Sequence, residues 1–267
     1  MYTRSVIGQL HKMKVTHEET VRYELLLNET IDMNERIGQP IRLAWYGGIQ
    51  CVCCGKPTKK SFNQGFCYTC FLKAPEASEC IIRPELCRAH LGEGRDIAWE
   101  EAHHNQPHVV YLAASDVVKV GVTRSTQVPT RWIDQGASSA IRLAETPNRY
   151  MAGVLEVALK DYFTDKTNWQ RMLRNEQDLS IDLVEEKWRM EEFLPSDLIS
   201  YFTEDDTIES FAYPVHEYPL KVKSLTFDKE SIVEGTLLGI KGQYLLLDGG
   251  RVINLRKHTG YILEVAF

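Results

Sequence analysis

Over the first 48 positions the apolar residues fall in short β-rich runs, not at helical spacing. Val21-Arg22-Tyr23-Glu24-Leu25-Leu26-Leu27 and Ile41-Arg42-Leu43-Ala44-Trp45-Tyr46 predict strands of a β meander, separated by polar residues, Gly38 and Pro40. After Gly47-Gly48 the periodicity fades into a stretch rich in Pro, Cys and His that lasts to about His108. It returns with two apolar runs, His108 to Ala113 and Val117 to Thr123, which predict a hairpin turning at Ser115-Asp116. Thr130 to Gln135 predicts a short helix and Ile141 to Ala144 a third strand. Asn148 suits the N-cap of a helix from Arg149 to Phe163. From Thr167 to Phe202 the pattern is helical and acidic, with Trp169, Met172, Leu183, Trp188 and Phe193 available for a buried stripe. Glu204-Asp205-Asp206 reads as a linker. The tail from Val222 is β again, with a hairpin predicted around Asp248-Gly249-Gly250.

This pattern gives an α+β protein in four segments: 1–48, 49–107, 108–203 and 204–267. We expect the two terminal segments to pair in one β module, because unpaired sheet edges need cover. With 267 residues, 43% apolar and 25% charged, the chain suits one large domain or two smaller ones. A disordered, collagen-like or coiled-coil chain is excluded. No apolar run reaches the roughly 18 residues of a membrane helix, and Met1-Tyr2-Thr3-Arg4-Ser5 lacks the layout of a signal peptide. A cytoplasmic protein without membrane contact is expected.

A net charge of -6 argues at first against a nucleic-acid partner. The charge is unevenly placed, however. Glu176 to Glu234 holds 16 acids against 5 bases, whereas Gly55 to Lys73 holds 4 lysines and no acid. Lys119 to Arg171 holds 8 bases against 5 acids. Lys56, Lys59, Lys60 and Lys73 are therefore candidate contacts to backbone phosphate, joined by Arg124 and Arg149.

Five of the 7 cysteines lie between Cys51 and Cys70, a clustering that points to metal in a chain without an export signal. Cys51 and Cys54 form one Cys-x-x-Cys pair and Cys67 and Cys70 another, 12 residues apart. Two such knuckles make a closed four-thiolate site for structural zinc; Cys53 is a bystander. Cys80, Cys87, His90, His103, His104 and His108 form a looser group. Either a second zinc sits on Cys80, Cys87 and two histidines, with His90 and His104 as candidates, or the loop simply packs under the first site.

Val110-Tyr111-Leu112, Lys119-Val120-Gly121-Val122-Thr123, Arg131 and Glu156 together resemble the core of the GIY-YIG nucleases, over residues 108 to 163. The similarity is to the branch with Lys-Ile-Gly in the second motif. The chain as a whole resembles a prokaryotic family of unknown function that joins a cysteine-rich module to this core. The stretches Lys119 to Arg124, Arg131 to Ala137 and Gly239 to Leu245 carry that resemblance. Where that family has further cysteines, this chain has Gly94 and the histidines His103 and His104.

The nuclease resemblance implies that Tyr111 helps activate water, that Arg131 stabilises phosphorane charge and that Glu156 holds magnesium. Gly121 would permit close strand packing. Lys119 stands where the second tyrosine would be and could hold a phosphate instead. Gly153, Glu156 and Lys160 share one helix face by their spacing. Each residue also has a plain structural reading. Tyr111 could be a core residue, Arg131 could bridge to Asp134 or Glu156, and Glu156 could be a solvated carboxylate. Trp132, Tyr150, Trp169 and Trp188 could stack on bases or lie in the core. Walker, dinucleotide and Gly-x-Ser-x-Gly motifs are absent from the sequence.

Three functions fit: magnesium-dependent cleavage of DNA or RNA by a zinc-containing hydrolase, nucleic-acid binding without cleavage, and a zinc-stapled adaptor that meets a protein partner through its acidic helices.

Overall fold

The computed structural model describes residues 2–163, 168–178 and 180–267. Thr167 and Leu179, both in the stretch expected to be helical, lie outside the described residues, as does Met1. Five strands come first: β1 (Ser5–Gln9), β2 (Lys14–Thr16), β3 (Arg22–Leu26), β4 (Thr30–Asp32) and β5 (Pro40–Ile49). The cysteine-rich stretch carries helices α1 (Tyr68–Lys73) and α2 (Ile97–His103) among single 3-10 turns, one of them at Pro84–Leu86. Then come β6 (His108–Ala114), β7 (Val118–Arg124), α3 (Thr130–Asp134), β8 (Ser139–Thr146) and α4 (Arg149–Leu159). After α5 (Trp169–Leu173), α6 (Leu183–Glu191) and β9 (Ile208–Ser210), the tail adds β10 (Lys223–Leu225), β11 (Ile232–Lys241), β12 (Tyr244–Leu247), β13 (Arg251–Asn254) and β14 (Tyr261–Ala266). No helix among the described residues is long and apolar enough to cross a membrane.

Two compact units form. The first holds the residues up to Leu72, Ile133–Gly136 and Ala212–Phe267; the second holds Lys73–Trp132 and Ala137–Phe211. The 49–107 stretch is thus divided at Leu72.

In the first unit a seven-stranded sheet runs in the order β1-β14-β5-β11-β12-β13-β10, so strands from both chain ends lie side by side. Val6, Val265, Leu43 and Val233 stand in register across four neighbouring strands, and all four are buried. A slip of one residue on any of these strands would turn its apolar set to the other face, so burial fixes the register. A smaller sheet, β2-β3-β4, buries Val15, Tyr23, Leu25 and Ile31. Gln243 ties β2's approach to the short Ile133–Gly136 insert. Its Oε1 accepts from the Met13 amide at 3.0 Å, and its Nε2 donates to the Met13 carbonyl at 3.1 Å and to Asp134 Oδ1 at 2.9 Å.

The second unit is built on a sheet of order β7-β6-β8-β9. β6 is buried at every position, which explains its unbroken apolar run. Val110, Leu112 and Ala114 pack with Ala152, Leu155 and Leu159 of α4 and with Leu183 and Met190 of α6. The Asn148 side chain caps α4, accepting from the Met151 amide at 3.0 Å. The helix ends sooner than its apolar pattern predicts, and the chain continues as a 3-10 turn at Lys160–Tyr162.

The acidic stretch also yields less helix than expected. Asn175 adopts a φ of 56° between α5 and α6, and Pro195 follows the second of these helices. Met172 and Leu183 are buried, whereas Trp188 and Phe193 are exposed. Residues 204–206 are more than a linker, because the buried Lys187 ammonium donates to the Asp205 carbonyl and to Asp206 Oδ1, both at 2.8 Å.

Gly153, in the middle of α4, lies against the backbone of the Pro84–Leu86 turn. A β-carbon there would come within 2.1 Å of the Glu85 nitrogen and 2.4 Å of the Pro84 carbonyl carbon. Alanine is the better helix former by about 1 kcal/mol, yet Gly153→Ala should destabilise the protein by about 2 kcal/mol through this overlap. Chemical denaturation of the variant checks it. Unchanged or increased stability would mean that the turn is not seated on the helix.

Candidate metal centres and a buried carboxylate

The four-cysteine knuckle grows out of the end of β5. Gln50 bridges to Pro57, the Cys51 amide donates to the Lys56 carbonyl and the Gly55 amide to the Cys51 carbonyl, both at 2.9 Å. Gly55 holds a φ of +70°, which lets the chain reverse this tightly. The second pair sits at the start of α1, where the Cys70 amide points at Cys67 Sγ at 3.5 Å. The sulfurs of Cys51, Cys54, Cys67 and Cys70 all lie within 4.8 Å of one another. Cys54 and Cys67 are 3.9 Å apart, against about 3.8 Å for the edge of a tetrahedron with zinc–sulfur bonds of about 2.3 Å. These four residues could hold a metal ion such as zinc.

Burial by itself would raise the Cys51 thiol, but amide hydrogen bonds from Cys67, Cys54 and Cys53 bring it down to about 6. Cys53 is exposed and stands outside the group. Lys56, Lys59, Lys60 and Lys73 are exposed. Among the described residues no ion pair engages any of them. Lys60 lies over the Phe62 ring at 5.3 Å.

A second converging group comprises Cys80, Cys87, Glu100 and His104, all buried, with ligand atoms within 4.8 Å of one another. The sequence pointed to three of these and to His90. His90 is instead exposed and stacks on Tyr150 with ring centroids 4.5 Å apart. His103 stacks on Trp99, and His108 Nδ1 bonds the Gln106 carbonyl at 2.7 Å. Burial pushes His108 down to about 4, so its ring is neutral. Glu100 was the residue missed. Its signal was available, since Glu100 on α2 and His104 at the cap that ends it sit four apart and so share a face.

The residues of the nuclease resemblance divide. On β6 and β7, Tyr111 stands opposite Gly121 and Ala113 opposite Lys119, so these side chains share a face. It is the face turned away from α4. Tyr111 is 1% exposed and its ring meets Trp132 edge-on at 5.6 Å. A β-carbon on Gly121 would lie 2.7 Å from the Tyr111 hydroxyl, so the glycine makes room for the phenol. Trp132 is likewise buried, and Trp188 donates its Nε1 to Asp206.

Arg131 and Glu156 are electrostatic neighbours. Burial pushes the Glu156 carboxyl up to about 7. Arg149 opposes that rise, the like charge of Glu85 adds to it, and Lys160 and Arg131 also oppose it. Arg149 is committed to structure, with Nε donating to the Cys80 carbonyl at 2.8 Å and Nη2 to the Ile81 carbonyl at 2.9 Å. Arg124 is half-buried at the end of β7.

The profile of a family described as "Protein of unknown function (DUF2797)" matches residues 38–263. Comparisons with curated proteins and with solved structures find no match.

The raised Glu156 carboxyl has a consequence for stability. Folded protein holds this proton up to about pH 7, whereas an unfolded glutamic acid loses it near 4.5. The stability it contributes is therefore complete below about 4.5 and is lost as pH rises through 7. In magnesium-free buffer, Glu156→Gln should match the wild type near pH 5 and exceed it at pH 8 by on the order of 1–3 kcal/mol. Denaturation midpoints at the two pH values check this, and a gap that does not grow with pH refutes it.

Proposed function

We propose that this chain, a member of the DUF2797 family of proteins of unknown function, processes nucleic acid, gripping backbone phosphate with its cysteine knuckle and acting on a phosphodiester in its second unit. The observation that carries the reading is the set of exposed lysines around the knuckle, which no ion pair among the described residues engages. Ammonium groups that no carboxylate engages, on a rigid support, are the usual means of neutralising phosphates. Zinc on the four thiolates would supply that rigidity by cross-linking a segment with little core of its own.

For the chemical step, Glu156 with Glu85 beside it offers hard oxygen donors that suit magnesium. Bound there, the ion would stabilise charge on a phosphoryl oxygen. Arg131, an electrostatic neighbour of Glu156, supplies a cation for the same charge. Tyr111 is sealed on the other face of the sheet, so its role in this conformation is to fill the space against Gly121 and Trp132. That burial favours a second reading, in which the protein binds nucleic acid without cleaving it.

A panel of structured and single-stranded DNA and RNA, with magnesium or manganese present, tests both. Wild-type protein should cleave at least one substrate, and Glu156→Ala should lose cleavage while keeping its affinity. Replacing Lys56, Lys59, Lys60 and Lys73 by alanine should weaken binding and flatten the salt dependence by roughly 3 in log–log slope. Salt-dependent binding without cleavage would move the function to the second reading. Absence of both binding and cleavage would overturn the two together.

A further inference from the structure

We infer that Cys80, Cys87, Glu100 and His104 form a second metal centre, closed and structural, for a zinc-class divalent cation with a mixed set of two sulfurs, one nitrogen and one oxygen. The site is independent of the nucleic-acid reading, and its geometry is specific. Cys80 Sγ lies 3.7 Å from His104 Nδ1, against about 3.5 Å for the edge of a tetrahedron with bonds of about 2.3 Å to sulfur and 2.0 Å to nitrogen. A Glu100 oxygen converges on the same His104 nitrogen. Glu100 is 3% exposed and His104 2%. An ion pair between these two would account for them alone, but not for the two buried sulfurs that meet at the same point.

The surroundings behave as an outer shell. Ser78 Oγ lies 3.2 Å from Cys80 Sγ, and the Trp99 ring packs edge-on to the His104 ring at 5.0 Å. Contacts of this kind fix the orientation of ligands. Gly94 leaves room for the carboxylate, since a β-carbon there would lie 2.4 Å from Glu100 Cγ. A cavity of about 260 Å³ lies beside the group, bordered by Cys80, Glu100, Arg88 and Arg95.

The segment also needs a cross-link. Between Pro75 and Leu91 it consists of four separate 3-10 turns. Among the described residues, the apolar cluster beneath them consists of Cys80, Cys87 and Ala89, with Tyr150 packed alongside, and Ala77 and Pro84 are also buried. So small a core leaves the turns to the Arg149 hydrogen bonds and the seat on α4, and a metal bound by side chains from the turns, from α2 and from the residue after it would add a cross-link.

The test is metal content of the full chain purified with zinc and dialysed, read by elemental analysis. Wild type and His90→Ala should carry two zinc ions per chain, and Cys87→Ser and Cys54→Ser one each. Gly94→Ala removes no ligand but displaces Glu100, and it too should carry one. Cobalt titration of the wild type should saturate at two equivalents. The species left in Cys54→Ser should show weaker thiolate charge transfer than the four-sulfur knuckle. A wild type that takes up one equivalent and loses it in Cys54→Ser would overturn the inference, as would two zinc ions retained in Cys87→Ser. If the cysteine variant does not fold, the Gly94→Ala count and the wild-type cobalt endpoint decide.

Discussion

Position 153 has no room for a side chain, and much of the second unit follows from that. Because Gly153 lacks a β-carbon, the Pro84–Leu86 turn rests directly on α4. Four residues earlier, on the same stripe of the helix, Arg149 donates to the carbonyls of Cys80 and Ile81 and holds the beginning of the loop. Three residues later Glu156 lies on the same stripe, and its loss of water is what lifts its carboxyl. Spacings of four and three place all three on one helix face. The perturbed carboxyl is therefore a consequence of the loop's seat and not a property of the helix alone.

The two cysteine clusters answer the same physical need in different parts of the chain. The seven-stranded sheet holds its register through rows of buried aliphatic residues such as Val6, Val265, Leu43 and Val233. Strand β6 is buried along its whole length. In both, apolar burial works together with the ladder hydrogen bonds between strands. The knuckle and the run of 3-10 turns have few buried apolar residues, and in both places sulfur atoms converge instead. A metal held by such sulfurs would cross-link the chain where hydrophobic area is too small to fix it.

Much of this was legible in the sequence wherever one local rule decided the outcome. The twelve-residue gap between two Cys-x-x-Cys pairs, the unbroken apolar run of β6 and the Asn148 cap each depend on a few adjacent residues. Glu100 was hidden because its partners are distant in sequence and its only local mark is the spacing to His104. His90 misled for the opposite reason, being close in sequence to Cys87 yet drawn away to stack on Tyr150. The residues likened to a catalytic set could be named by type, but strand parity has meaning only once the face covered by α4 is known. That knowledge puts Tyr111 on one side of the sheet and α4 on the other. Trp188 and Phe193 fit a helical stripe, but Asn175 and Pro195 interrupt the helix that the stripe needed.

The acidic stretch shows why net charge was a poor guide to partners. An ammonium group buried as fully as that of Lys187 is tolerable only with a counter-charge and hydrogen bonds close by. Asp205 and Asp206 supply both, and Asp206 also accepts from the Trp188 indole. Part of the acidity that makes the chain negative overall is thus engaged in holding its own helix α6. The lysines around the knuckle have no such engagement among the described residues. Counted as a sum, the charges cancel toward an acidic protein. Counted by what each is bonded to, the Asp206 carboxylate is an internal tie, whereas the knuckle lysines face solvent and no ion pair among the described residues engages them.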